Sequence, residues 1–223
     1  MTRVLLLNIA DVTEEEYQRL YLQSSFRRKK KADRYLRRED QVRCICAGQL
    51  LRFALGADDF EVETNPYGKP SVKNRPDFHY NLTHSGCWVA IAYGDDILGI
   101  DVEKIDWNPG KEKLAHRFFT CDEQEYVLRQ DNQGTGNRFY EIWTAKEGYL
   151  KYLGTGLQKA LDSFSVLELE SPNRFYFQPE EGYSMTLWTA DGAFIHSFIL
   201  MQKLCKDYSI TVLDLLDLLV KQY

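Results

Sequence analysis

Gly94-Asp95-Asp96-Ile97-Leu98-Gly99-Ile100-Asp101-Val102-Glu103-Lys104 joins two halves of the chain and carries its first candidate chemistry. Gly-Asp-Asp is turn chemistry, and Ile97 to Glu103 alternates as a strand. Strand side chains point alternately to two faces. Asp101 and Glu103 therefore share a face with Gly99, while Ile100 and Val102 take the other. Gly99 leaves space beside the carboxylates. Two acids held this close repel unless a cation or proton sits between them.

Working outward, each half reads as helices followed by strands. Val4 to Ile9 is a buried strand, and Thr13 with Glu16 forms a capping-box pattern that starts a helix. Helical stretches follow at Arg27 to Leu36 and Asp40 to Leu55, the latter stopped by Gly56. Phe60 to Thr64, Phe78 to Leu82 and Cys87 to Tyr93 read as strands. Past the join, short helices are expected at Leu114 to Phe119 and Asp122 to Arg129. The strongest helix, Phe139 to Leu153, is stopped by Gly154. Ser163 to Met201 reads as strands with a turn at Asp191-Gly192, and Thr211 to Val220 as a terminal amphipathic helix. The fold class is α+β, with two packed lobes, 1–95 and 96–223, each placing helices on an antiparallel sheet.

The helix Phe139 to Leu153 brings the second set of reactive groups. Glu147 and Lys151 are four residues apart, neighbours on one helix face. Gly148 between them costs a helix about 1 kcal/mol relative to Ala, so something should pack closely there. Three converging acids (Asp101, Glu103, Glu147) beside a lysine suit Mg²⁺ and a pyrophosphate. Mg²⁺ takes hard oxygen ligands and leaves positions for water and substrate phosphate. The third set is Asn81-Leu82-Thr83-His84-Ser85-Gly86, a loop after a strand that can present donors to phosphate. Lys69, fixed between Gly68 and Pro70, can point a single charge at a ligand.

Charge is uneven. The chain carries a formal net charge of -5, yet nine basic and three acidic side chains lie between Arg27 and Arg43. A local basic patch on an acidic protein suits a small polyphosphate better than a long duplex. Five cysteines without zinc-site spacing read as reduced thiols of a cytoplasmic protein. No apolar run approaches the ~20 residues that span a bilayer, and the first ten residues read as a strand rather than a signal peptide.

Taken together, the chain resembles the 4′-phosphopantetheinyl transferases of the Sfp type. The matching pieces are Arg34-Tyr35 through Arg43, Tyr67-Gly68-Lys69-Pro70, Asn81 to Gly86, Gly99 to Lys104, Arg117-Phe118-Phe119, Trp143-xx-Lys146-Glu147-Gly148-xx-Lys151 with Gly154-Thr155-Gly156-Leu157, and Leu161 to Val166. The resemblance implies two similar lobes related by a pseudo-twofold, with coenzyme A between them as co-substrate. It also implies Mg²⁺ on Asp101, Glu103 and Glu147, with Lys151 and His84 on phosphate oxygens. Arg28, Lys31 and Arg43 would hold the 3′-phosphate, and Lys69, Pro70 and Thr83 would line the nucleotide site. Catalysis would fall to Glu147, Lys151 and His84, with Glu147 the first candidate base. The partner would be an acyl- or peptidyl-carrier protein, met transiently by a monomer, with no nucleic acid and no membrane. Lys111 to Tyr126, with Phe118-Phe119, is the expected carrier surface. At Cys44 relatives carry a hydroxyl, and Gly148 replaces a more usual Ser or Ala. Two rivals remain: a Mg²⁺-dependent nuclease, which would need an extended basic groove, and a non-catalytic module that binds coenzyme A or carrier proteins.

Overall fold

The computed structural model describes residues 1–57, 60–129, 134–190 and 199–200. In chain order come β1 (Arg3–Asn8), α1 (Glu14–Gln23), α2 (Phe26–Ala32), α3 (Arg38–Leu55), β2 (Val62–Thr64), β3 (Pro70–Val72), β4 (His79–Ser85), β5 (Trp88–Gly94) and β6 (Leu98–Lys104). They are followed by α4 (Pro109–Phe118), α5 (Cys121–Leu128), α6 (Thr135–Leu153), β7 (Asn173–Phe177), β8 (Tyr183–Thr189) and β9 (Ile199–Leu200). Three sheets have the strand orders β4-β5-β1-β9, β2-β3 and β6-β8-β7. The second and third are antiparallel, whereas β1 pairs with β9 in parallel. The mixed α+β class matches the alternation read from the sequence.

Internal contacts group the chain into two units. Of the described residues, one takes 1–2, 62–81, 92–129 and 134–190; the other takes 3–57, 60–61, 82–91 and 199–200. The junction at 91–92 falls near the join read at 95–96, while residues 62–81 associate with the later part of the chain.

In the first unit, β6 pairs with β8 so that Asp101 stands opposite Thr186 and Glu103 opposite Ser184. The helix α6 packs on both strands. The Trp188 indole donates to the Ala145 carbonyl at 2.8 Å, and the Thr144 hydroxyl lies 3.0 Å from that of Thr186. Phe119, Phe139, Tyr140 and Val127 form an apolar cluster that ties α4 and α5 to α6. Burying such side chains contributes ~1.5–3 kcal/mol each. In the second unit, the Thr13 capping box forms as expected: its hydroxyl accepts from Glu16 N–H, and the Glu16 carboxylate accepts from Thr13 N–H at 2.8 Å. Gln49 donates to the Leu20 carbonyl at 3.0 Å and holds α3 to the end of α1.

Several boundaries differ from the sequence reading. The helix α2 ends at Ala32, so Arg34 and Leu36 lie in the connection to α3. The helix α4 starts at Pro109 rather than Leu114, because Asn108 caps Gly110 N–H and proline fits the first turn. The helix α6 begins a turn earlier, at Thr135. The expected helix at 211–220, the turn at 191–192 and Cys205 lie outside the described residues.

Candidate functional site

Asp101 is 4% exposed, and Ile100 and Val102 are fully buried, so β6 is covered on both faces rather than edged with solvent. What covers the Asp101 face is α6 itself. A Cβ on Gly99 would overlap the Gly148 carbonyl oxygen and the Tyr152 backbone nitrogen. The space left by Gly99 is therefore filled by helix backbone. Gly148 is close-packed too, since a Cβ there would sit 3.1 Å from Trp188 Cδ1 and 3.3 Å from the Thr186 carbonyl oxygen. Two glycines let helix and strand approach until the carboxylate of one meets the charges of the other.

The contact is specific. Lys151 Nζ donates to Asp101 Oδ1 at 2.6 Å and to the Ile100 carbonyl at 3.2 Å. Asp101 Oδ2 is buried and accepts no hydrogen bond among the described residues. Glu147 is half-buried on the same side of α6. Burial first, and then the neighbouring Asp101 charge, push the Glu147 carboxyl above its ordinary value, while Lys151 opposes the shift. Glu147 and Lys151 line a pocket of about 260 Å³ with Tyr67, Lys69, Pro70 and Asn81. Asn81 Oδ1 accepts from Ile100 N–H at 2.9 Å, which pins the start of β4 beside Asp101.

Glu103 is half-buried two residues along β6. Among the described residues no three His, Cys, Asp or Glu side chains stand at ligand spacing, so the three-acid set is not drawn together as such. The donor chemistry still suits a hard dication. Two neighbouring carboxylates in a desolvated corner are what Mg²⁺ uses when substrate phosphate and water fill its remaining positions.

Lys69 lines the pocket but spends its charge elsewhere. Its ammonium donates to the Tyr152 carbonyl at 2.9 Å and the Leu98 carbonyl at 3.2 Å, and burial brings its pKa down to about 8. Asn65 holds the same turn, donating to the Gly154 carbonyl at 2.8 Å and accepting from Tyr67 and Lys69 N–H, each at 2.9 Å. The single charge expected to point at a ligand instead caps the end of α6.

The remaining candidates belong to the other unit. Arg43 donates to the Gly86 carbonyl and to Asp40 Oδ1. Arg28 packs over Gly48 and donates to the Cys44 carbonyl at 3.5 Å, and Lys31 is exposed on α2. Thr83 is buried and His84 exposed, both within β4. The strand runs on to Ser85, so His84 sits on the strand and not in a loop after it. The turn itself is confined to Gly86, with φ of 54°, and Cys87.

Phe119 is core, 2% exposed, and Phe118 is half-buried against Trp143, so this pair does not offer the carrier surface read from the sequence. Sequence reasoning also missed Glu123. This acid is fully buried and pairs with Lys146 at 2.8 Å. The visible signal was the Thr120-x-x-Glu123 capping box, which forms.

Comparisons with known proteins place the chain in a family. The 4′-phosphopantetheinyl transferase superfamily profile matches residues 97–213. The chain is 35% identical over 161 residues to "4′-phosphopantetheinyl transferase Sfp" of Bacillus subtilis (strain 168), covering 70% of this chain and 71% of that one. It is 34% identical over 161 residues to "4′-phosphopantetheinyl transferase ffp" of Bacillus subtilis, again with 70% and 71% coverage. Against "4′-phosphopantetheinyl transferase gsp" of Aneurinibacillus migulanus it is 30% identical over 151 residues, 65% of this chain and 62% of the other. With the acidic strand, the glycine-seated helix and its lysine all inside the matched region, the chain belongs to the 4′-phosphopantetheinyl transferase superfamily and is of the Sfp type.

Proposed function

We propose that this protein transfers the 4′-phosphopantetheine group of coenzyme A to a serine hydroxyl of an acyl- or peptidyl-carrier protein, with Mg²⁺, releasing adenosine 3′,5′-bisphosphate. The observation that carries the reading is the pairing of Lys151 with buried Asp101 while Lys151 and Glu147 line one pocket. Asp101 and Glu147 would hold the Mg²⁺, with Glu103 from the same strand drawn in on binding, and the bound ion would supply positive charge to the phosphoryl oxygens. Lys151 turns from Asp101 to a phosphoryl oxygen, a charge-assisted contact. His84, exposed on β4, gives a second donor. Arg28, Lys31 and Arg43 receive the 3′-phosphate, while Pro70 and Thr83 line the nucleotide, the wall at Pro70 set by the Asn65 and Lys69 clamps. Phosphoryl transfer is mostly positioning and charge stabilisation, which a buried acid–lysine corner provides. Glu147, whose proton affinity is raised, takes the serine proton directly or through water.

No described helix is long and apolar enough to cross a membrane. Cys44, Cys46 and Cys121 are free thiols, which suits a reducing cytoplasm. The test mixes the protein with coenzyme A, Mg²⁺ and a panel of apo carrier proteins, and weighs the carriers. A gain of one phosphopantetheine arm is expected, lost with EDTA, with Asp101→Ala and with a serine-to-alanine carrier. Coenzyme A binding without any gain would favour the non-catalytic module, and nucleic-acid cleavage the nuclease.

A further inference from the structure

Lys146 precedes Glu147 on α6, yet its charge is wholly committed inside the protein. Its ammonium has three donors. They go to Glu123 at 2.8 Å, the Leu161 carbonyl at 2.6 Å and the Phe164 carbonyl at 2.6 Å. The Phe164 ring lies against it, with 4.4 Å from Nζ to the centroid. Glu123 is equally engaged: Oε1 accepts from Val166 N–H at 2.8 Å, and the other oxygen accepts from Thr120 N–H at 2.9 Å. Both side chains are 0% exposed. One ion pair therefore ties α6 to the start of α5 and to the segment 161–166.

The second ion pair of α6 is of another kind. In the Lys151–Asp101 pair the lysine lines the pocket, its side chain 29% exposed, and the aspartate lies buried behind it. On the transferase reading the pair must weaken, because a bound dication would draw on the Asp101 carboxylate while a phosphoryl oxygen draws on the Lys151 ammonium. At that moment the polar tie of α6 to Asp101 on β6 slackens. Successive helix side chains stand ~100° apart, so Lys146 is directed to α5 and Glu147 to Asp101 by one rotational setting.

We propose that Lys146, gripped by Glu123, is a positioning residue. It is the fixed tie that holds α6 in rotation, so that Glu147 and Lys151 stay aimed at Asp101 while their own pair exchanges for ligand. The inference rests on the transferase reading given above. It assigns Lys146 no contact with substrate.

The Lys146→Met/Glu123→Gln double variant removes both buried charges together and strands neither. Glu123→Gln alone keeps an oxygen for Lys146 but leaves its buried ammonium without a counter-charge, so it is the harsher companion for folding. Three readouts are needed: thermal unfolding, kcat and KM for coenzyme A, and Mn²⁺ binding by electron paramagnetic resonance. The expected double variant unfolds near the wild-type temperature with an unchanged KM. Its kcat falls on the order of 10²-fold, the cost of a small misplacement of reacting groups, and its Mn²⁺ binding weakens. Glu123→Gln should unfold at a lower temperature than the double variant, and its folded fraction should show the same loss of kcat with KM unchanged. Either variant folded, with wild-type kcat and Mn²⁺ binding, would overturn the proposal, as would a loss confined to KM. If wild-type protein transfers nothing to any carrier, the transferase reading fails. The Mn²⁺ comparison would then still decide whether Lys146 positions the acids.

Discussion

Glu147 has to carry its charge half-buried, with Asp101 beside it. Its folded-state pKa is therefore above the unfolded one. Such a group favours folding below its unfolded pKa, and that benefit is lost as pH rises through the folded value. At neutral pH the ionised carboxylate is a liability that a bound dication would relieve. Glu147→Gln should therefore raise Tm by a few degrees at pH 7, with the advantage shrinking as the pH falls through the raised folded value and gone below the ordinary 4.5. The same variant should lose carrier modification. Mg²⁺ with coenzyme A should raise the wild-type Tm more than that of the variant. Differential scanning fluorimetry across pH reads all but the activity. A variant less stable than wild type at pH 7 would show that the charge is satisfied without a metal.

One helix resting on one strand makes the candidate site. The approach of α6 to β6 depends on Gly99, where an added methyl group would meet backbone atoms of Gly148 and Tyr152 that no rotamer change can move. Gly99→Ala should therefore destabilise by at least about 3 kcal/mol, the upper range of overpacking, or push α6 off the strand. Urea unfolding measures the first outcome and loss of coenzyme A turnover the second. Gly148→Ala faces a looser neighbourhood, 3.1 Å from a Trp188 ring atom, and should be tolerated better. The alternation of Ile100, Asp101, Val102 and Glu103 made the strand legible, and the Phe139 to Leu153 stripe made the helix legible. That the strand is buried on both faces was not, because alternation looks the same whether solvent or a polar helix face covers the acids.

Across the whole chain the charge is divided. Asp101, Glu103 and Glu147 belong to the unit holding β6 and α6, and the basic stretch of α2 and α3 to the other. Arg28→Ala and Lys31→Ala should raise KM for coenzyme A several-fold at low salt with little change in kcat, and the effect should fade as ionic strength rises. Unchanged KM for both would remove them from the 3′-phosphate site. Arg43 is a poorer probe. It already holds the β4–β5 turn through Gly86 and is paired with Asp40, so its removal would disturb structure as well as binding.

The sequence by itself determined the α+β class, the order of elements, the glycine stops at 56 and 154, the Thr13 cap, and the family through its ordered motifs. These are local signals, written in periodicity, capping and turn chemistry. Only the tertiary structure decided the use of each charge. Lys69 and Lys146 look, in sequence, as ready for phosphate as Lys151, since all three are lone cations beside turn or acidic residues. Folding turns the first onto two carbonyls at the pocket's edge, buries the second against Glu123, and leaves Lys151 paired with Asp101 at the pocket wall. A buried ammonium must find acceptors wherever the chain supplies them. Those acceptors, at Tyr152, Leu161 and Phe164, are main-chain oxygens that no residue name announces.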